Sequence, residues 1–554
     1  MRGRQVFMES LRIHGCERVF GNPGTTENPL LEGLLDYPDI EYIVALHEGV
    51  AVCAAGFYAQ ATGKTPLANV HVAPGLGNAI GMMYGCLKAR VPVVVTAGQQ
   101  DVRMRLREPL LSHDLVAMAK PVVKWAAEPQ TADEIGPIMQ RAFQIANQHP
   151  KGPVFVALPN NVMEAETDVK ASTAGVIHQP NTVASQTLST IAGKLCEAEK
   201  IAICVGDDVA SYDAIEPFLA VVETLGAAVF TDFLLARRPI ATNHPNYVRA
   251  LATDASQNRS MLAEFDAVVA IGGVTMEEIW FEPGSSIPER TYSLQIEVSD
   301  ALLSVHRPVS EGISGDLALT LNALNEAVVA QLSDATRARF QAQNAALAAS
   351  QDSALTAQNA RFEKLESATP MAPSEAMTTL AAALPNDIVL VDESITAGAD
   401  VDRAFRKGRR DEFFAGRGGG IGQGIAGALG VAAGLEDRLI LAVSGDGSAM
   451  YSIQALWTAA HHNQRILFVI LANAEYRVLK HNLDIHRQRF DAPSDQPYPH
   501  MDLVDPTLDF IGMAEGMGVT ATRAESIDQI QNAAAAFLAG DGPHLLEIAV
   551  AGKS

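Results

Sequence analysis

Ser444-Gly445-Asp446-Gly447-Ser448-Ala449-Met450-Tyr451, then an amphipathic run, then Leu471-Ala472-Asn473-Ala474-Glu475-Tyr476, is the stretch from which the fold can be read. Ile440 to Val443 is an apolar β-type run that stops at Gly445-Asp446-Gly447. Ser452 to His462 has helical spacing, with Ile453, Leu456, Trp457 and Ala460 on one side. Ile466 to Leu471 is a second apolar run. Strand, turn, helix and strand in that order imply two parallel strands joined by a right-handed crossover. Asp446 and Asn473 then lie at the carboxyl ends of neighbouring strands, where open α/β sheets bind ligands. A Gly-Asp-Gly alone is also an ordinary turn; the Asn after a second strand makes it a ligand set. An Asp carboxylate, an Asn carbonyl and the backbone carbonyl of Glu475 are hard oxygens. They suit a Mg²⁺ that carries a diphosphate, with Ca²⁺ as another cation of that kind.

A second set of signals sits near the N-terminus. Val19-Phe20-Gly21-Asn22-Pro23-Gly24-Thr25-Thr26 reads as a strand end entering a Gly/Pro turn. Tyr42 to Leu46 is apolar and ends in His47-Glu48, and a helix-compatible stretch, Val50 to Ala61, follows. Taken alone, Glu48 is an acid at a helix start, favoured by the dipole. Together with Asn69-Val70-His71-Val72-Ala73-Pro74-Gly75-Leu76-Gly77-Asn78-Ala79, these segments resemble the pyrimidine-binding domain of thiamine diphosphate enzymes. The Gly445-to-Tyr476 stretch resembles the diphosphate-binding motif of the same family. The likeness is strongest to the benzoylformate decarboxylases, extends to the acetolactate synthase large subunits, and runs over nearly the whole chain.

The resemblance implies that Glu48 is the carboxylate that activates the aminopyrimidine, so that thiamine forms its ylide. It places Asn22, Pro23, Gly24, Ile395, Thr396, Gly419, Ile421, Gly445, Gly447, Ser448, Tyr451 and Tyr476 at the cofactor, and Asp446, Asn473 and Glu475 at the metal. Glu393-Ser394-Ile395-Thr396 follows the apolar run Ile388 to Val391, where a hydroxyl and free N–H groups can take phosphate oxygens. Gly418-Gly419-Gly420 lets the backbone approach closely, and the family carries a bulky apolar side chain at Ile421. Met450 replaces a polar residue and has no metal role.

On the substrate side, His71 and Thr25 match an active-site histidine and a substrate-contacting hydroxyl of the benzoylformate decarboxylases. An imidazole there could protonate the enamine left after CO₂ departs. A second histidine of those enzymes falls on Ile279, so benzoylformate turnover itself is in doubt. His113, in Leu111-Ser112-His113-Asp114, is a candidate to substitute for it. Leu479 stands where pyruvate decarboxylases carry a catalytic Glu. Decarboxylation of a 2-oxo acid is therefore the first expectation. A carboligase that passes the enamine to an aldehyde or second 2-oxo acid is the alternative. A non-catalytic thiamine-fold protein is disfavoured by the intact Glu48, Asp446 and Asn473.

The bulk numbers agree. At 554 residues the chain is too long for one ordinary domain. With 48% hydrophobic and 19% charged residues it is of globular type. A net charge of −23 argues against nucleic acid or anionic membrane as partner. No run reaches the ~18 apolar residues of a membrane span. Five scattered cysteines form neither a disulfide framework nor a zinc spacing, and no signal peptide is visible, so a cytoplasmic location is expected. The expected organisation is three doubly wound α/β domains, at residues 1–165, 185–330 and 368–554. Pro159 to Thr187 reads as a linker, and residues 331–367 as a helical connector. The central domain shows no Gly-rich phosphate loop, so FAD is not expected. The family also implies a homodimer or homotetramer with active sites at the subunit interface.

Overall fold

The computed structural model describes residues 1–173, 175, 181–362, 369–409 and 411–552. It contains three six-stranded sheets. The first comprises β1 (Arg18–Gly21), β2 (Glu41–Val44), β3 (Leu67–Val70), β4 (Val94–Gln99), β5 (Ala126–Ala127) and β6 (Val154–Pro159), in the order β2-β1-β3-β4-β6-β5. The second comprises β7 (Ile201–Val205), β8 (Ala228–Thr231), β9 (Tyr247–Ala250), β10 (Ala267–Ile271), β11 (Tyr292–Glu297) and β12 (Glu311–Ser314), in the order β12-β11-β10-β7-β8-β9. The third comprises β13 (Val389–Glu393), β14 (Phe413–Ala415), β15 (Ile440–Gly445), β16 (Ile466–Ala472), β17 (Thr520–Ala524) and β18 (His544–Ala549), in the order β14-β13-β15-β16-β18-β17. Pairing is parallel throughout the first two sheets and from β13 to β17 in the third. That pattern explains why β4, β6 and β10 are apolar without alternation: helices cover both faces, and every residue of these strands is buried.

Each sheet has one switch point, where strand order reverses. It falls between β1 and β3, between β7 and β10, and between β13 and β15. Ligands of doubly wound folds bind outside the carboxyl ends of strands at these crevices.

The described chain divides into two units. One, residues 177–365 and 406–413, holds the second sheet. Its core joins Val205, Phe218, Val269, Leu294, Leu321 and Phe340. The other, residues 1–176, 366–405 and 414–554, holds the first and third sheets. Within it, α1 (Glu48–Thr62) follows β2 and α2 (Val72–Lys88) follows β3. The Ala/Gln/Asn/Arg-rich segment after the second sheet forms α3 (Asp334–Phe362), as expected where Gly and Pro are absent. Residues 363–368 of the expected connector lie outside the described residues.

Helix α4 (Gln423–Gly434) packs directly on α1. Gly427, Gly430 and Gly434 share one face of α4. A Cβ on Gly427 would come within 2.6 Å of Phe57, one on Gly430 within 2.7 Å of the Tyr58 nitrogen, and one on Gly434 within 2.6 Å of Thr62. The edge strand β2 is closed from the same side. The Val44 N–H donates to His462 Nε2 at 3.2 Å, and Thr458 Oγ1 donates to the Val44 carbonyl at 3.0 Å. One expectation changes in position. The segment after Pro159 begins as a helix, Asn160–Glu164, not as linker. Glu164 is tied to Arg2 and Arg4 at 2.6 and 2.9 Å. Of the remaining stretch, residue 174 and residues 176–180 lie outside the described residues.

Candidate cofactor and active site

At the β1/β3 switch point two clusters form. Glu48, the first residue of α1, is buried. Its Oε1 accepts from Asn22 Nδ2 at 3.2 Å and its Oε2 from Asn78 Nδ2 at 3.0 Å. Gly75 lies against it, where a Cβ would stand 2.8 Å from Oε1. A Cβ at Gly77 or Gly81 would meet nothing within 4 Å.

The second cluster surrounds His71. Its Nδ1 lies 2.7 Å from Glu27 Oε2 and 3.2 Å from Thr26 Oγ1, and its ring covers Gly24. The Glu27 side chain is fully buried, and also accepts from the N–H of Gly24 at 2.9 Å and of Gly98 at 2.7 Å. Nε2 of His71 has no hydrogen-bond partner among the described residues, and a quarter of the side chain is exposed (24%). Thr25 is exposed on the same short turn, and Thr26, one position on, touches the imidazole. His113 is exposed on a loop, where its backbone carbonyl accepts from Gln99 Nε2 at 2.8 Å and from the Leu115 N–H at 3.0 Å. No hydrogen bond or ion pair among the described residues joins Pro23 or His113 to His71, and Pro23 is half-buried in the turn.

The β13/β15 switch point holds the other half. Register pairs Gly445 with Leu471, which sets Asp446 beside the end of β16. Asp446 Oδ2 accepts from the N–H of Asn473 at 3.0 Å and of Ala474 at 2.6 Å, and Oδ1 from the Gly447 N–H at 2.7 Å. Burial raises its carboxyl above the ordinary range, against the pull of those three donors. Asn473 Oδ1 accepts from the Glu475 N–H at 3.1 Å. The Glu475 carboxylate is held by Lys480, which also binds Asp502 at 2.5 Å. Tyr476 covers Gly447, where a Cβ would stand 2.8 Å from Cδ1. Ser448 is buried beside Asp446, and Tyr451 is exposed next to Gly422. Gly419 has φ 74° and is exposed, and Ile421 is half-buried before α4. Ile395 and Thr396 form the turn after β13.

Four polar residues at these switch points carried no assigned role in the sequence. Glu27 sits two positions after Thr25, and only the fold buries it under His71. Asn78 lies a turn into α2, so its reach to Glu48 is tertiary. Ser394, quoted only for its motif, is buried after β13. Glu393 accepts from the N–H groups of Gln423 and Gly424 at 2.9 and 3.0 Å, and burial pushes it up to about 7.

In the other unit, the β7/β10 switch point is occupied by its own backbone. The Asp208 N–H donates to the Gly272 carbonyl at 3.0 Å, and a Cβ on Gly206 would stand 2.7 Å from that oxygen. Ile279 is exposed in that unit (60%).

Comparison with known proteins follows the same division. Family models for the N-terminal TPP-binding, central and C-terminal TPP-binding domains of thiamine pyrophosphate enzymes match residues 1–118, 188–324 and 396–548. The chain is 29% identical to a benzoylformate decarboxylase of Pseudomonas aeruginosa over 544 residues, 98% of this chain and 97% of that one. It is 24% identical to the acetolactate synthase isozyme 2 large subunit of Escherichia coli over 570 residues, 99% of this chain and 96% of that one. Among solved structures, benzoylformate decarboxylase from Polynucleobacter necessarius superposes with a TM-score of 0.87 at 26% identity, covering 100% of this chain and 99% of that one. The thiamine diphosphate-dependent 4-hydroxybenzoylformate decarboxylase of Rhodococcus jostii gives 0.87 at 25%, with the same coverage. With both TPP-binding domains matched and both switch points furnished, the chain belongs to the thiamine pyrophosphate enzyme family.

Proposed function

We propose that the protein catalyses the non-oxidative decarboxylation of a 2-oxo acid, dependent on thiamine diphosphate and Mg²⁺. The observation that carries this reading is the His71–Glu27 pair, set at the same switch point as the buried Glu48. The donor set fits the metal. Asp446 is oriented by three N–H groups, Asn473 supplies an amide oxygen, and a Cβ on the adjoining Gly445 would meet nothing within 4 Å. Asp446, Asn473 and the Glu475 carbonyl would hold the cation, with Ser448 and Thr396 beside the diphosphate.

When bound, thiamine diphosphate supplies a nucleophilic carbon for the 2-oxo carbonyl and a sink for the electron pair left by CO₂. The protein manages protons around it. Glu48, steadied by Asn22 and Asn78, exchanges a proton with the aminopyrimidine. His71 has Nδ1 committed to Glu27, which fixes the ring and leaves Nε2 to give or take the substrate-side proton.

No hydrogen bond or ion pair among the described residues joins the Glu48 cluster to the Asp446 cluster. This supports a reading in which each active site takes Glu48 from one subunit and Asp446 from another.

Carboligation is the second reading, favoured by Ile279. An exposed apolar side chain, without an ionisable group, stands where the decarboxylases carry their second histidine. Incubation of the holoenzyme with a panel of 2-oxo acids, with and without acetaldehyde, separates the two. Stoichiometric CO₂ and aldehyde support decarboxylation; hydroxyketone as main product supports carboligation; neither product from any acid overturns both.

A further inference from the structure

A small cavity of about 50 Å³ opens outside the ends of β13, β15 and β16, bordered by Ser394, Thr396, Gly445, Asn473 and Arg477. Two of these side chains have polar capacity that the protein itself does not use. Ser394 is buried (4% exposed), and its Oγ has no hydrogen-bond partner, although its backbone N–H donates to Asp392. Leaving a buried hydroxyl unmatched is unfavourable, so it marks a place where a ligand atom completes the structure.

Arg477 opens α5 (Arg477–Arg489), directly after the Asn473-to-Tyr476 turn. Its guanidinium makes one ion pair among the described residues, with Glu475 at 3.8 Å, and no hydrogen bond. That carboxylate is already bound by Lys480. The acid on the cavity wall itself, Asp400, is held by Arg403 at 2.8 Å. Both nearby carboxylates therefore have their own cations, and the Arg477 charge is left for something else. Its side chain is one-third exposed, so it can swing at little cost.

We infer that Ser394 and Arg477 bind the terminal phosphate of the cofactor directly, as a second anchor that does not pass through the metal. The inference rests on the proposed use of thiamine diphosphate at this switch point. A guanidinium suits it because its fork of donors matches two phosphate oxygens at once, whereas a hydroxyl supplies one short bond. Asp446 and Asn473 hold the diphosphate only through the cation. The Ser394–Arg477 pair would hold it in the cation's absence as well.

Calorimetric titration of apoprotein with thiamine diphosphate and Mg²⁺, and separately with inorganic diphosphate in the presence of chelator, tests this on wild type, Arg477→Gln, Arg477→Lys and Ser394→Ala. Arg477→Gln should weaken cofactor binding by roughly 10–100-fold, the span of a hydrogen bond to a charged group. Arg477→Lys should recover part of the loss. Arg477→Gln should abolish the metal-free diphosphate signal seen with wild type, and Arg477→Lys should weaken it. Ser394→Ala should weaken cofactor binding by a smaller factor while leaving the apoprotein's melting temperature unchanged or raised, because the unmatched hydroxyl is gone. Wild-type protein that binds no thiamine diphosphate would overturn the functional reading itself. Wild type that binds, with Arg477→Gln within twofold of it, would overturn this inference and leave that reading standing. Unchanged cofactor affinity with a raised KM for the 2-oxo acid would also overturn it, by assigning the guanidinium to the substrate carboxylate.

Discussion

Val72, Ile395 and Ala474 adopt φ of 42°, 50° and 56°, a region that costs non-glycine residues about 1–3 kcal/mol each. All three lie just past the ends of strands: β3 and β13, which border the two furnished switch points, and β16, the neighbour of β15. Strain of this kind persists only where surrounding bonds over-determine it. Ala474 shows how: its N–H is held by Asp446 and its carbonyl accepts from Leu503 at 2.7 Å. Val72 follows His71 and is wholly buried, so it helps set the direction of the imidazole. If Nε2 is an acid/base group, His71→Ala should lower turnover by about 10²–10⁴, measured as steady-state CO₂ release. Cofactor affinity should hardly change, because the ring faces the substrate. Turnover within a few-fold of wild type would leave His71 a packing residue.

Glu393 makes a pH prediction at the same scale. Its carboxyl is raised from 4.5 to about 7, chiefly by burial. The folded protein thus holds a proton that the unfolded chain releases, and stability from this group falls as pH rises from about 4.5 through 7. Glu393→Gln removes that loss. The melting temperature of the variant relative to wild type should rise across this window, and a pH-independent difference would contradict the assignment.

Among elements, the α1–α4 contact depends most on a single residue type. Gly430 meets the backbone of α1, which cannot step aside as a flexible side chain could. Gly430→Ala should destabilise the protein by about 1–3 kcal/mol or more, read from chemical denaturation, with the cofactor-site residues untouched. A neutral substitution would mean that the two helices are free to separate.

The elements were also the most legible part of the sequence. The apolar run before Asp446 and the one before Asn473 became β15 and β16, because buried parallel strands need unbroken hydrophobicity. Asp446 and Asn473 were legible for the same reason, since each follows directly on a strand end. Glu27, Asn78 and Arg477 were not, because their roles depend on neighbours 44, 30 or more positions away, or on a charge balance spanning several side chains. Thr25 and Thr26 show the limit most sharply. Either hydroxyl fits the turn, and only the backbone path decides that Thr26 meets His71.

At the scale of the whole molecule, the proposal that each active site takes Glu48 from one subunit and Asp446 from another has a direct test. Glu48→Gln and Asp446→Ala chains should each be inactive alone. Mixed after mild dissociation, they should regain activity, since one site of a mixed dimer then contains both intact residues. The absence of recovery, with mixed dimers demonstrated by mass, would place both residues in one subunit. No described helix is long and apolar enough to cross a membrane.

Cofactor reconstitution tests the central claim most directly. Protein treated with chelator and freed of small molecules by gel filtration should lose CO₂ release from 2-oxo acids. Thiamine diphosphate with Mg²⁺ should restore it, and neither should suffice alone. Full activity after removal, or recovery with a nicotinamide or flavin in place of thiamine diphosphate, would contradict the account.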